Sequence, residues 1–564
     1  MSPIDWFIMF ATLGGIISYG WWRGRRNRTT DEYLLAGRTM PWYAMALSIM
    51  ATQASAVTFI STTGLAYVDG MRFVQFYFGL PLAMVILSFT AVPIFHRAKV
   101  YTAYEYLEQR FDSKTRSLVS AIFLIQRGLA VGIALYAPAV VLSVLLNWSD
   151  QWTTVLMGLV VITYTVAGGI QAITWADFQQ MIIMMCGLCL AFFMAIHLMP
   201  ADVGFSEALR IAGAAGRLNP VTFNFSWSDR YNIFSGLLGG MFLALAYFGC
   251  DQSQVQRYLT GSSIGQSRLS LLFNAIAKVP MQFFILLTGA MVFVFFTFVQ
   301  PPLVFHPANL KKIEATQEFA PLTKQYDSAF AERREAAQAL VKNESPEAKQ
   351  RYQAAQQKFE ATRKDAAKLV DKTTGEKGFN DTNYIFLTFV TRFLPVGIIG
   401  IVLAVILGAA MSTISAEINS LATVSVIDVY KRHVRQHASD EHYLLVSRVA
   451  TAFWGLWAMV TAQQAKNMGS LVEAVNILGS LFYGGLLGVF VLAVFFKRVG
   501  GTAAFIGVLV GEAAIFTSNY LKLTSFLWFN VIGCLVVILT ALIVTALIGE
   551  NRSSRAGPRP ARDS

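Results

Sequence analysis

The amino-acid sequence predicts an all-α polytopic membrane protein, and three observations carry that prediction. Of the 564 residues, 55% are hydrophobic and only 14% charged, where ordinary soluble domains carry roughly a quarter. The mean hydropathy is +0.51. Apolar runs of about 20 residues, the length that crosses a bilayer core, recur along the whole chain.

Thirteen stretches, with an uncertainty of about one, meet that length criterion: 3–22, 41–67, 72–95, 117–146, 152–169, 176–199, 231–250, 269–299, 384–429, 443–463, 469–496, 502–520 and 525–549. The run 384–429 is too long for one crossing and contains Pro395. It divides into a short interfacial helix before the proline and a spanning helix after it. The first span lacks a basic leader and a small-residue cleavage pattern, so it reads as part of the mature chain rather than a signal peptide.

Charge sets the expected orientation. Arg23, Arg25, Arg26 and Arg28 follow the first span directly, which places the N-terminus outside and this loop in the cytoplasm of a cell (inner) membrane. Alternation then delivers His96, Arg97 and Lys99, Arg257 and Arg268, Lys431 and Arg432, and Lys497 and Arg498 to the same side. The basic tail 550–564 falls there too. The net charge of +12 therefore marks loops rather than nucleic-acid binding. Four cysteines lie in apolar runs, which excludes a disulfide scaffold, and Cys186 and Cys189 read as packing. Six scattered histidines without an HExxH pattern argue against a metalloenzyme, and no nucleophile–base set or phosphate loop suggests an enzyme at all.

Residues 301–382 break the apolar pattern with Ala-rich, charged sequence on the expected outer side. Charges three and four apart predict two helices, about 325–343 and 346–370, with Ser345 as N-cap and Pro346 in the first turn. Such a helical hairpin reads either as a lid or partner-docking arm, or as a tolerated surface insertion.

Two spans carry unusual chemistry. Ser48 to Gly64 and Gly408 to Ser420 fill the middle of apolar runs with small and hydroxylated residues. Close helix packing explains small residues alone. Here Ser412, Thr413, Ser415 and Asn419 face the prospect of Gln53, Ser55 and Thr58 on the other span. Neutral oxygens suit a hard monovalent cation such as Na+, and helices interrupted at midplane release carbonyls for it. A proton would need a titratable base instead.

At these residues the chain resembles the sodium:solute symporter family. The resemblance rests on Asp31 to Arg38, Tyr101 to Phe111, Trp175-Ala176-Asp177, Asp251 to Leu259, and Met411-Ser412-Thr413 through Asn419-Ser420. It implies a LeuT-like fold of two inverted five-helix repeats, at about 41–199 and 231–496, driven through alternating access by the sodium gradient. Residues 1–30 would hold a peripheral first helix and a basic loop, 301–382 the extracytoplasmic insertion, and 502–549 two peripheral helices. The family's principal Na+ site would fall on the carbonyls of Ala51, Ala54 and Ala409 and the hydroxyls of Ser412 and Thr413. A second site would use Ser415 and Asp177, but Ala416 stands where some members carry a serine.

The expected solute pocket is drawn from Gln53, Ser55, Thr58, Phe73, Tyr77, Arg127, Tyr247 and Phe248. Arg127 lies inside the fourth span, where an arginine costs roughly 2.5–3.5 kcal/mol. It reads either as the counter-ion of an anionic solute or as a structural partner of an intramembrane acid such as Glu417. Each aromatic reads either as a pocket wall or as packing. Thr58 and Ala244 stand where galactose-type members of the family carry amides. The expected function is sodium-coupled import of a small organic anion such as sialic acid or another carboxylate. The alternatives are a neutral sugar or polyol symporter, a proton-coupled transporter using Glu417 or Asp177, and a membrane sensor whose hairpin docks a partner.

Overall fold

A computed structural model describes residues 1–24, 29–146, 148–375 and 378–548. The readings on Arg25, Arg26, Arg28 and the tail 550–564 lie outside the described residues. Every named element is helical, and the one backbone bridge among the described residues joins Met40 to Gly261.

The spans that matter for the site are α1 (Pro3–Gly24), α2 (Trp42–Gln53), α3 (Thr63–Asp69), α4 (Ser113–Leu146), α5 (Asp150–His197) and α6 (Ile264–Phe298). After them come α7 (Phe319–Lys342), α8 (Pro346–Thr374), α9 (Thr382–Phe393), α10 (Ile398–Val424) and α11 (Leu471–Phe495). Ten described helices are long and apolar enough to cross a membrane, or eleven when the pair Trp42–Gln53 and Thr58–Asp69, bent by 58°, counts as one. That is fewer than the thirteen expected from sequence, for two local reasons. The helix Ser235–Gly249 is apolar but short. Residues 152–169 form a helix of their own, as expected, the part of α5 before the kink at Gly169; of the two parts only Gly168–His197 is counted among the ten.

Backbone exceptions mark the joints. Gly169 interrupts α5 at φ +58°, a conformation that costs glycine little and other residues much. Pro395 and Gly397, at φ +92°, separate α9 from α10, so the division of 384–429 at the proline is as expected. The core of the bundle is α10, which packs against α1, α4 and α5 and is buried along nearly its whole length.

The insertion folds as an antiparallel hairpin of α7 and α8. Helix α7 starts at Phe319, earlier than expected, and α8 starts at Pro346 as expected. Ser345 accepts the Ala348 amide at 3.1 Å, which satisfies a donor that the first turn leaves free. Tyr326, Phe330, Phe359 and Leu369 form a core of its own with Leu303, Val304 and Ile313. The hairpin is not a free arm. Gln353 donates to the Ala214 carbonyl at 2.9 Å and Glu360 pairs with Arg217 at 2.5 Å, while the Arg217 guanidinium also donates to the Val68 carbonyl at the end of α3.

Replacing Ser345 by alanine should cost the first turn of α8 about 1 kcal/mol. Hydrogen exchange at 347–349 should accelerate about fivefold, with the membrane helices unaffected; unchanged exchange would show that the cap does not hold that turn.

Candidate functional site

The site grows from the break between α2 and α3. Ala54 leaves helical geometry at φ −92°, ψ 62°, and its amide still bonds to the Met50 carbonyl at 2.8 Å. The last carbonyls of α2 then lose the regular donors one turn ahead. The hydroxyl of Thr58 takes the Gln53 carbonyl at 3.2 Å. Across the interface, Thr413 on α10 donates to the Thr52 carbonyl at 2.9 Å and lies 3.3 Å from the Ala409 carbonyl. Segments 361 positions apart in the chain thus meet through one hydroxyl.

The second segment differs from expectation in one respect. Helix α10 runs unbroken from Ile398 to Val424, so around Ser412 it offers side-chain hydroxyls and the shared Ala409 carbonyl rather than the loose carbonyls of an interrupted helix. Its small residues allow the close approach of α2 and α5.

Asp177 on α5 is fully buried and accepts Ser412 Oγ at 2.5 Å and Ser48 Oγ at 2.6 Å. Arg257 donates to the same carboxylate at 2.7 Å and also reaches the Ser48 hydroxyl. Arg257 is therefore no loop arginine, as alternation of the spans had suggested, but a buried cation at 1% exposure. The short helix Gln252–Leu259 that carries it is buried at every residue. Ser415 donates to the Ser412 carbonyl at 3.0 Å rather than to Asp177.

Beside the α2–α3 break lies a cavity of about 90 Å³. Gln53, Ser55, Thr58, Tyr77, Arg127 and Tyr247, six of the expected pocket residues, line it, and so does Thr413 of the expected ion site. Phe73 and Phe248 do not reach it: Phe73 stacks behind Phe76, and Phe248 packs edge-on against Tyr247. Phe76, Gln126, Asn476 and Tyr483 are among the other lining residues and were not singled out from sequence.

Arg127 is committed. It pairs with Asp251, with Glu417 at 2.8 Å and with the Tyr483 hydroxyl at 2.6 Å, and Tyr483 in turn donates to Asp251 at 2.9 Å. The structural reading of this arginine is thus the one observed, with a second acid, Asp251, added to Glu417. Glu417 lines the cavity, and its Oε2 has no hydrogen-bond partner. Lys278, alone in the apolar run of α6, is fully buried, has no hydrogen-bond partner, and lies 5.4 Å from the centre of the Tyr77 ring. A single lysine in a predicted span was its only sequence signal.

An all-helical membrane bundle with a broken span against a hydroxyl-bearing helix is the architecture of a secondary transporter. The sequence model of the Sodium:solute symporter family matches residues 33–317 and 366–511. The chain belongs to that family and is a sodium-coupled solute symporter, not an enzyme. It is 26% identical to the sodium/sialic acid symporter SiaT of Proteus mirabilis (strain HI4320), covering 97% of this chain and 96% of that one. It is 24% identical to the sodium/glucose cotransporter of Vibrio parahaemolyticus, over 90% of this chain and 83% of the relative. With sodium-coupled monocarboxylate transporter 1 of Xenopus laevis the identity is 26%, over 90% and 70%. In structure it superposes on a substrate-bound, outward-open Na+-coupled sialic acid symporter with a TM-score of 0.75 at 25% identity, covering 97% of this chain and 98% of the other.

Removing Arg127 strands two buried acids. Arg127→Ala should lower stability by about 3–5 kcal/mol, seen as a lower midpoint of thermal unfolding, and Glu417→Gln should cost much less because Asp251 keeps the arginine paired. Equal losses in the two variants would contradict the pairing.

Proposed function

We propose that the chain imports a small organic solute by alternating access, with Na+ held where α10 meets the break after α2. The reading is carried by one observation, the Thr413 hydroxyl set between the Thr52 and Ala409 carbonyls at the edge of the cavity. The ion's oxygens would come from the carbonyls of Ala51, Ala54 and Ala409 and the hydroxyls of Ser412 and Thr413, all neutral and all buried. A cation in such a cage needs no buried carboxylate, which suits a site deep in a membrane. The helices would form two inverted five-helix repeats, at 41–199 and 231–496, with 1–30 and 502–549 peripheral, 301–382 an extracytoplasmic insertion and 550–564 a cytoplasmic tail. The basic loops put the N-terminus outside and the C-terminus in the cytoplasm of the cell membrane. The case for a second ion site is weakened, because Arg257 already neutralises Asp177 and the Ser415 hydroxyl is engaged by the Ser412 carbonyl. We read one Na+ per solute.

The solute we infer is an organic anion, a sialic acid or another carboxylate. Relatives named for sialic acid and monocarboxylate support this, as does Arg127 in the cavity lining. A carboxylate would reach Arg127 by taking the place of Glu417. A second reading, a neutral sugar or polyol, is favoured by the same arginine's commitment to two acids. Hydroxyl donors would then bind the free Glu417 oxygen. A proton-coupled cycle would run through Glu417 on the same geometry.

Uptake into vesicles under imposed sodium or proton gradients, with N-acetylneuraminate, lactate and inositol as competing solutes, separates these readings. Sodium-driven uptake of an acid supports the first, sodium-driven inositol uptake the second, and sodium-independent, proton-driven uptake overturns the ion assignment. Thr413→Ala should raise the sodium concentration for half-maximal uptake about tenfold, the worth of one ligand-scale polar contact. An unchanged value would remove Thr413 from the ion site.

A further inference from the structure

A second cavity, of about 530 Å³, lies between the hairpin and the end of α3. The family match stops at residue 317 and resumes at 366, so Arg333, Phe359 and Lys364 belong to a stretch outside it. Four basic side chains line this cavity, and two of them are spent: Arg217 on Glu360 at 2.5 Å and Arg363 on Asp381 at 2.9 Å.

Arg333 and Lys364 have no carboxylate partner among the described residues. Arg333 is fully buried, its guanidinium 3.6 Å from the centre of the Phe359 ring. It donates to the Phe296 carbonyl and, at 3.4 Å, to Gln356, while its Nε has no acceptor. Burial opposes the charge of both buried arginines. At Arg363 the Asp381 carboxylate outweighs burial and the pKa is raised; at Arg333 no such partner exists and the pKa is lowered. A buried guanidinium without a counter-charge is strongly disfavoured. Among the cavity's acids only Asp69 is left without an ion pair, so the uncommitted charge is two cations against one anion.

We propose that this cavity is a binding site for a small organic anion, a carboxylate on a flat apolar or aromatic body, paired by Arg333 and Lys364 with its body against Tyr67, Phe293 and Phe379. The rings supply apolar cover and the two bases fix the charged end, the composition of a small-molecule site. The site is separate from the transport cavity but adjoins the same half-span, Thr58–Asp69, since Thr58 lines one and Tyr67 the other.

Benzoate is the probe, titrated in sodium-free buffer onto the purified full chain in lipid nanodiscs, with equilibrium binding and thermal unfolding as readouts. Wild type and Thr413→Ala should bind it saturably and alike, and benzamide, which lacks the charge, should bind at least tenfold more weakly. Lys364→Glu should raise Kd about tenfold and Arg333→Gln at least as much. Lys364 is exposed, so its variant decides the matter if Arg333→Gln fails to fold. The proposal falls if wild type shows no saturable binding, if benzamide binds as tightly, or if Lys364→Glu leaves Kd unchanged. Loss of binding in Thr413→Ala also overturns it, by placing benzoate in the transport cavity.

Discussion

Backbone carbonyls inside a membrane must be satisfied by protein, ion or enclosed water, since lipid offers no donors. The break at Ala54 creates that demand at the centre of the bundle, and α10 answers it with Thr413. Most of what is distinctive in this chain follows. Small residues on α10 let α2 come close enough for the hydroxyl to reach. The bend between α2 and α3 opens the cavity beside it. The aromatic wall of Phe76, Tyr77, Tyr247 and Tyr483 encloses that cavity.

Charge inside the bundle obeys the same logic at higher stakes. Three arginines are buried there among the described residues, and each has acids within reach: Arg116 with Asp428 and Glu108, Arg127 with Asp251 and Glu417, Arg257 with Asp177. Such pairs do little for net stability, since desolvation consumes most of their attraction, but breaking one is expensive. They therefore fix geometry. Arg127 ties α4 to α10 and to the turn at Asp251, and Arg257 ties that turn's helix to α5. Lys278 is the exception, buried with no hydrogen-bond partner, and it stands beside the cavity wall.

Much of the scaffold was legible because local chemistry dictated it. Ser345 and Pro346 marked the start of α8, Pro395 marked the joint before α10, and the hydroxyl-rich runs marked the two segments that meet. Six of the eight pocket candidates line the cavity because they sit on the bent span or on its immediate neighbours. Phe73 and Phe248 fall outside that lining: Phe73 stacks on Phe76, three residues on in the tight helix Met71–Tyr77, and Phe248 packs against its neighbour Tyr247, which takes the wall position. Arg257 was misplaced for a different reason. A position at the end of an apolar run reads as a loop, and only the fold brings Asp177, 80 positions earlier, against it. Pairing across such separations leaves no trace in spacing, and the same holds for Asp251 and Arg127.

Arg217 has a place in the fold whose importance lies in mechanics. One guanidinium grips both the last turn of α3, at Val68, and the hairpin, at Glu360. Any tilt of that half-span has to drag a helical pair of more than fifty residues with it or tear the grip. In the proposed alternating-access cycle, the insertion would act as viscous drag on this one half-span, transmitted through a single side chain.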